Sequence, residues 1–195
     1  MTARSDRRPR ANDRGSRRRS GAPIVRRQTI RISHEVARRV RSGHPWIYRE
    51  ALKNRVLREP PGTAVEVLDW DGEAVGRGIV DGDTAISVRM VTRDPGQVVD
   101  AALLADRVRS AIALRRRFFD FTRLECLRLV NAESDGIPAV AIDRYGDYLV
   151  AQFFTSAMLP YAGAIYDALE SELSPEAIYE QRRFRPLAGQ APQGG

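Results

Sequence analysis

The sequence predicts an α+β protein: a small β-barrel in the N-terminal half, followed by a small mixed α/β domain with an antiparallel sheet and two helices. Three observations carry this prediction. From Arg55 to Val91 the apolar residues recur with period two, and the Asp71-Gly72 and Asp81-Gly82-Asp83 turns cut the run into short strands. Two later stretches, closed by Phe119 and Leu173, space their apolar residues as helices do. Between them, the apolar runs Ile137 to Ile142 and Tyr148 to Phe154 flank the five residues 143–147, a loop length that favours a hairpin.

In chain order, residues 1–27 are rich in Arg, Gly, Pro and Ser and poor in large apolar groups, so they are expected to be a disordered basic tail. Gln28 to Ile32 alternates as a strand. Ser33 caps a short helix that stops at Gly43, and Pro45 fixes the turn that presents Trp46 and Tyr48. Strands follow over 63–69, 73–80 and 84–91. In the last, Ile86, Val88 and Met90 share one face, which leaves Ser87 and Arg89 on the other and predicts Arg89 outside. Arg77 is ambiguous, because Gly76 and Gly78 permit a bulge that re-aims it.

Asp94-Pro95-Gly96 closes this first part, expected to span 28–96, and 97–181 form the second. Asp100 caps a helix running to about Phe119, whose Arg115-Arg116-Arg117 run suits either the helix dipole or an RNA contact. Leu127 to Val130 is a third strand candidate beside the hairpin, Ser156 to Leu173 a second helix, and Ala177 to Tyr179 a short strand. Residues 182–195 offer no element that a core could use, and are expected to be a disordered tail.

Composition narrows the function classes. With 195 residues and 43% hydrophobic side chains the chain can bury a core, and its longest apolar runs fall far short of a membrane span of roughly 20 residues. A cytoplasmic protein is expected. Residues 1–31 hold eleven arginines against Asp6 and Asp13, a local +9, so of the total +7 the remainder carries −2. Nonspecific nucleic-acid affinity therefore belongs to the tail, and any RNA site on the folded part must be a local patch. Cys126 is the single cysteine and reads as a buried structural thiol; with His34 and His44 the only histidines, no metal site is expected. Glu133 and Asp135 admit an acid/base reading, against which Asp135-Gly136 is ordinary turn chemistry.

Three motifs in order, Gly43-His44-Pro45-Trp46-Ile47-Tyr48, Ala132 to Pro138 and Ile142 to Asp147, resemble the large-subunit ribosomal RNA cytosine-C5 methyltransferases. The resemblance covers about residues 28–181 and implies a PUA domain, then a central α/β domain, then a Rossmann-like domain that binds S-adenosylmethionine and does the chemistry. No catalytic cysteine motif and no glycine-rich loop match here, so no catalytic, cofactor-binding or metal-binding residue is carried over, and S-adenosylmethionine is implied for the family rather than for this chain. A truncated or frameshifted relative, inactive alone, is the leading expectation; a native short protein and one half of a split enzyme are the alternatives. The resemblance also suggests that the 133–138 loop faces the catalytic domain.

The expected function is the RNA-binding, substrate-recognition portion of an rRNA methyltransferase, with ribosomal RNA as partner and a catalytic domain or a second copy as possible protein partner. A methyltransferase subunit completed by a separate S-adenosylmethionine-binding chain, and a dimerisation or regulatory module that never touches RNA, are the alternatives. The candidate RNA-binding residues are His44, Trp46, Arg49, Arg89 and Arg93, with the barrel core as the competing place for Trp46.

Overall fold

The computed structural model describes residues 28–52, 57–82 and 84–184. The basic segment 1–27 and residues 185–195 lie outside these.

The first unit is a curled five-stranded sheet, a half-barrel, in the order β1 (Thr29–Ile32), β3 (Ala64–Asp69), β4 (Ala74–Val80), β5 (Ile86–Thr92), β2 (Trp46–Tyr48). Its first pair, β1 with β3, is parallel; the others are antiparallel. Helix α1 (His34–Arg41) closes one side. The Ser33 side chain accepts from the Val36 N–H, Glu35 sits in the first turn and arginines fill the last, each favourable at its end of the helix. Ala37 and Val40 are buried with Ile30, Ile47, Val65, Val67 and Val88 in the first of two cores.

The strands are held close by glycine. A Cβ on Gly76 would stand 2.3 Å from the Thr92 carbonyl oxygen, and its φ of +143° is one that other residues rarely adopt. The β4–β5 register shifts between Arg77 and Gly78, the bulge that these glycines permitted. Arg77 emerges half-buried.

The second unit is a four-stranded sheet in the order β6 (Cys126–Asn131), β7 (Val140–Tyr145), β8 (Tyr148–Phe153), β9 (Ala177–Arg182). Helices α2 (Ala101–Phe118) and α3 (Ala162–Leu173) cover one face, burying Leu104, Val108, Ile112, Ile165 and Leu169 against Leu129, Ile142, Leu149 and Phe153. Asp100 caps α2 through the Leu103 N–H at 2.9 Å.

Four local expectations change. The sheet is mixed, because β9 follows a helical crossover and pairs parallel to β8. The hairpin strands reach Tyr145 and restart at Tyr148, so the turn is only Gly146-Asp147. Ile137 is buried but precedes the strand, since Ala139 turns the backbone at φ +55°. Ser156–Tyr161 is a 3-10 turn ahead of α3, consistent with Pro160, which cannot donate a backbone hydrogen bond. The tail also contributes: Phe184 packs half-buried against the second core.

Ile79, Val91 and Val99 pack with the second unit's core, so the two units share apolar surface. Tyr161 donates its hydroxyl to the Gly62 carbonyl at 2.8 Å across the same boundary. Gly76→Ala should lower the unfolding free energy by about 2–4 kcal/mol through overpacking and backbone strain, read from urea unfolding curves.

Candidate nucleic-acid interface

The backbone after α1 makes an aromatic corner. Gly43, at φ +117°, reverses the chain, the His44 N–H bonds the Arg39 carbonyl at 3.0 Å, and the Pro45 carbonyl accepts from the Met90 N–H at 2.8 Å. In β2 the fully buried Ile47 pins the strand against Val88, and its neighbours Trp46 and Tyr48 fall on the other side. His44 joins them. Its ring centroid lies 6.0 Å from Trp46 and 5.9 Å from Tyr48, and those two are 6.2 Å apart and nearly perpendicular. The edge-to-face contacts of Trp46 with His44 and with Tyr48 hold the rings in place. Tyr48 is 38% exposed, while His44 and Trp46 are half-buried.

Arginines flank this corner. Arg49 is exposed and gives one nitrogen to the Thr84 carbonyl at 3.0 Å. Arg93, also exposed, bonds the Val40 carbonyl through Nε at 2.6 Å, at the C-terminal end of α1 beside Gly43. Both spend only part of a five-donor fork, leaving N–H groups for phosphate oxygens.

Arg89 corrects the expected exposure. It is 6% exposed, and its guanidinium donates from Nε to Asp81 at 2.7 Å and from Nη1 to Glu133 at 2.9 Å. Every residue of β5 is buried, because the second unit covers the face that alternation assigns to solvent. The buried cation is matched by two carboxylates, as the cost of burying an unpaired charge requires. Thr155 of the second unit completes the group, donating its hydroxyl to Asp81 at 3.0 Å.

The same Glu133 oxygen accepts from the Trp46 indole N–H at 2.9 Å. Trp46 is thus neither a barrel plug nor a free stacking ring; it is half-buried against the second unit. At the start of the 133–138 loop, the Glu133 side chain faces β2 and β5. Asp135 is held by both Arg115 terminal nitrogens, at 2.6 and 2.7 Å, and by the Asn131 N–H. These partners give both acids structural work. Arg115, one of the possible RNA contacts, is spent in the process.

Tyr48, Asp81 and Glu133 complete the corner and stand outside the five candidate RNA-binding residues. Tyr48 had a signal, its i, i+2 spacing from Trp46; the two acids had none, because their partners lie far away in sequence.

Other chemistry is sparse. His34, Asp69 and Asp71 bring ligand-type atoms within 4.8 Å of one another. Both Asp69 oxygens are already engaged, however, Oδ2 by Arg41 at 2.9 Å and Oδ1 by the N–H groups of Asp71 and Glu73. The Arg41 guanidinium, aided by these backbone donors, holds the Asp69 carboxyl below its ordinary value of 3.8. Cys126 is exposed, not buried. Among the described residues, no strand runs through a glycine-rich loop into a helix. No helix among them is long and apolar enough to cross a membrane.

Comparison with known proteins assigns the first unit. Residues 30–93 form a PUA-like domain. Over most of its length the chain is homologous to proteins named ribosomal RNA large subunit methyltransferase I. It is 34% identical over 155 residues to that of Shewanella denitrificans, covering 78% of this chain and 39% of the relative. For Alteromonas mediterranea the values are 31% over 142 residues, 73% and 36%. The chain therefore spans little more than a third of the length of these relatives. Among solved structures, a Streptococcus mutans protein described as a SAM-dependent methyltransferase candidate shares the fold at TM-score 0.70 and 15% identity, over 84% of this chain and 44% of that one. A methyltransferase candidate complexed with SAH gives TM-score 0.69 at 17% identity, over 85% and 44%.

Arg89→Met leaves the buried Asp81 and the half-buried Glu133 without the cation they share and should cost about 3–5 kcal/mol in urea unfolding. The Asp69–Arg41 pair makes a pH-dependent contribution. Because the folded value is lowered, the stabilisation is complete above pH 3.8 and fades as pH falls below it. The stability gap between the wild type and Arg41→Ala should close over that range in acid unfolding titrations.

Proposed function

We propose that this chain recognises structured ribosomal RNA, and that it does so as the substrate-recognition part of a class I, S-adenosylmethionine-dependent rRNA methyltransferase of the cytosine-C5 type. The observation that carries the reading is the aromatic corner at β2, flanked by Arg49 and Arg93, within a PUA-like domain. Tyr48 offers an exposed ring on which an unpaired base can lie, with His44 and Trp46 bracing it. Arg49 and Arg93 supply phosphate contacts that fix register without reading sequence. Arg89 serves from beneath, by holding Glu133, which in turn holds Trp46. The homology to rRNA large subunit methyltransferase I supports ribosomal RNA as the target class, and the SAH-bound structure of the same fold supports the cofactor of the whole enzyme.

A second reading has its own observation. The face of the second sheet that no helix covers carries Tyr145, Tyr148 and Tyr179, all exposed, with Tyr148 and Tyr179 6.2 Å apart, a surface suited to a catalytic partner or a second copy.

Gel-shift titration against ribosomal RNA fragments at two salt concentrations tests the first reading. Binding should weaken as salt rises and should survive deletion of residues 1–27. Tyr48→Ala should cost about 1–3 kcal/mol of binding, the range for one stacked base. Loss of all binding on deleting 1–27 would overturn the proposed folded site.

A further inference from the structure

Helix α2 grips the turn that carries Glu133 with two arginines, and one of the two is left without a counter-charge. Arg115 spends both terminal nitrogens on the Asp135 carboxylate, at 2.6 and 2.7 Å, so a charge on the helix meets a charge on the turn. Arg107, about two helical turns earlier, bonds through Nη1 to a neutral acceptor, the Gly136 carbonyl. A Cβ on Gly136 would stand 3.1 Å from Nη1 and 3.2 Å from Cδ and Cζ of Arg107. The guanidinium is therefore packed against the turn.

No carboxylate pairs with Arg107 among the described residues. Its neighbour Asp106 turns to Arg109 at 2.7 Å, Asp135 is taken by Arg115, and Oε1 of Glu133 is shared by Arg89 and Trp46. The Arg107 side chain is half-buried, and burial lowers its pKa, because the cation loses hydration with no opposite charge to replace it. Its other two nitrogens are not sealed in. Nε and Nη2 have no acceptor among the described residues, where the one buried side-chain nitrogen lacking a partner is Arg77 Nε. Both Arg107 nitrogens thus reach the surface.

The same turn joins this cation to the aromatic corner. Residues Ala132–Asp135 make one 3-10 turn, closed by the Gly136 N–H on the carbonyls of Ala132 and Glu133. At a rise of about 2 Å per residue, Glu133 and Gly136 are about 6 Å apart along it. One end holds the Trp46 indole and the other the Arg107 guanidinium.

We propose that Arg107 is a phosphate contact of the RNA site, extending that site from the PUA-like domain onto the α/β unit. The assignment rests on the reading of the aromatic corner as RNA-binding. Arginine suits the task because it stays charged when partly desolvated and can present Nε and Nη2 to two oxygens of one phosphate. The phosphate supplies the counter-charge that the fold withholds.

Arg107→Gln separates charge from packing, since the glutamine amide can still donate to the Gly136 carbonyl. Gel-shift titration of the full chain against ribosomal RNA fragments over a salt series reads the effect. The variant should bind about tenfold more weakly at low salt, and the slope of log affinity against log salt should become shallower by about 0.7–0.9, the share of one phosphate. Arg107→Lys, which keeps the charge but not the fork, should recover the slope and only part of the affinity. Urea unfolding curves of the glutamine variant should stay in place, because no ion pair of the folded chain is lost. Weaker binding at an unchanged slope would overturn the proposal, since Arg107 would then act through the turn alone. Unchanged affinity and slope would also overturn it, and the RNA-binding reading would stand if Tyr48→Ala still weakened binding. If the chain lacking residues 1–27 binds no ribosomal RNA fragment, both fail.

Discussion

The arrangement of the two units depends on one buried cation. Arg89 sits on a β-strand of the half-barrel, and the carboxylates that neutralise it come from both sides: Asp81 from its own unit and Glu133 from the other. A guanidinium removed from water is tolerated only with such partners, and Glu133, the one that the second unit supplies, is in place only while the units are together. Apolar contact between them is real but less directional. The ion pairs, with the Thr155–Asp81 and Tyr161–Gly62 hydrogen bonds, set the geometry.

This geometry reaches the aromatic corner directly. One oxygen of Glu133 receives both the Arg89 guanidinium and the Trp46 indole, so the face offered to a ligand is shaped by a residue of the neighbouring unit. The PUA-like fold supplies the strand and the turn, while the orientation of Trp46 is completed from outside that fold.

Much of the architecture was legible because it is written in local chemistry. Ser33 and Asp100 cap their helices, Asp-Gly turns separate the strands, and the 137–154 region forms a hairpin, each cue acting within a few residues. What could not be read was non-local. Period-two alternation sent Arg89 to solvent, since it describes one strand and knows nothing of a second unit packed on its other face. The parallel placement of β9 depends on how α3 crosses the sheet, and Cys126, an apparent core thiol by composition, sits exposed at the entry to β6. The candidate site divides in the same way: His44, Trp46, Arg49 and Arg93 form one corner, and the carboxylates beneath it had no trace in sequence spacing.

That exposed thiol gives the molecule a built-in address. The chain has one cysteine, and it stands opposite Tyr145 in the strand pairing, one residue from the Gly146-Asp147 turn. A sulfhydryl-directed dye would therefore attach with single stoichiometry at a known place, without mutagenesis. The same solitude confines disulfides within a pure preparation to links between molecules, so an air-exposed sample would accumulate covalent pairs joined at β6, which reductant would separate.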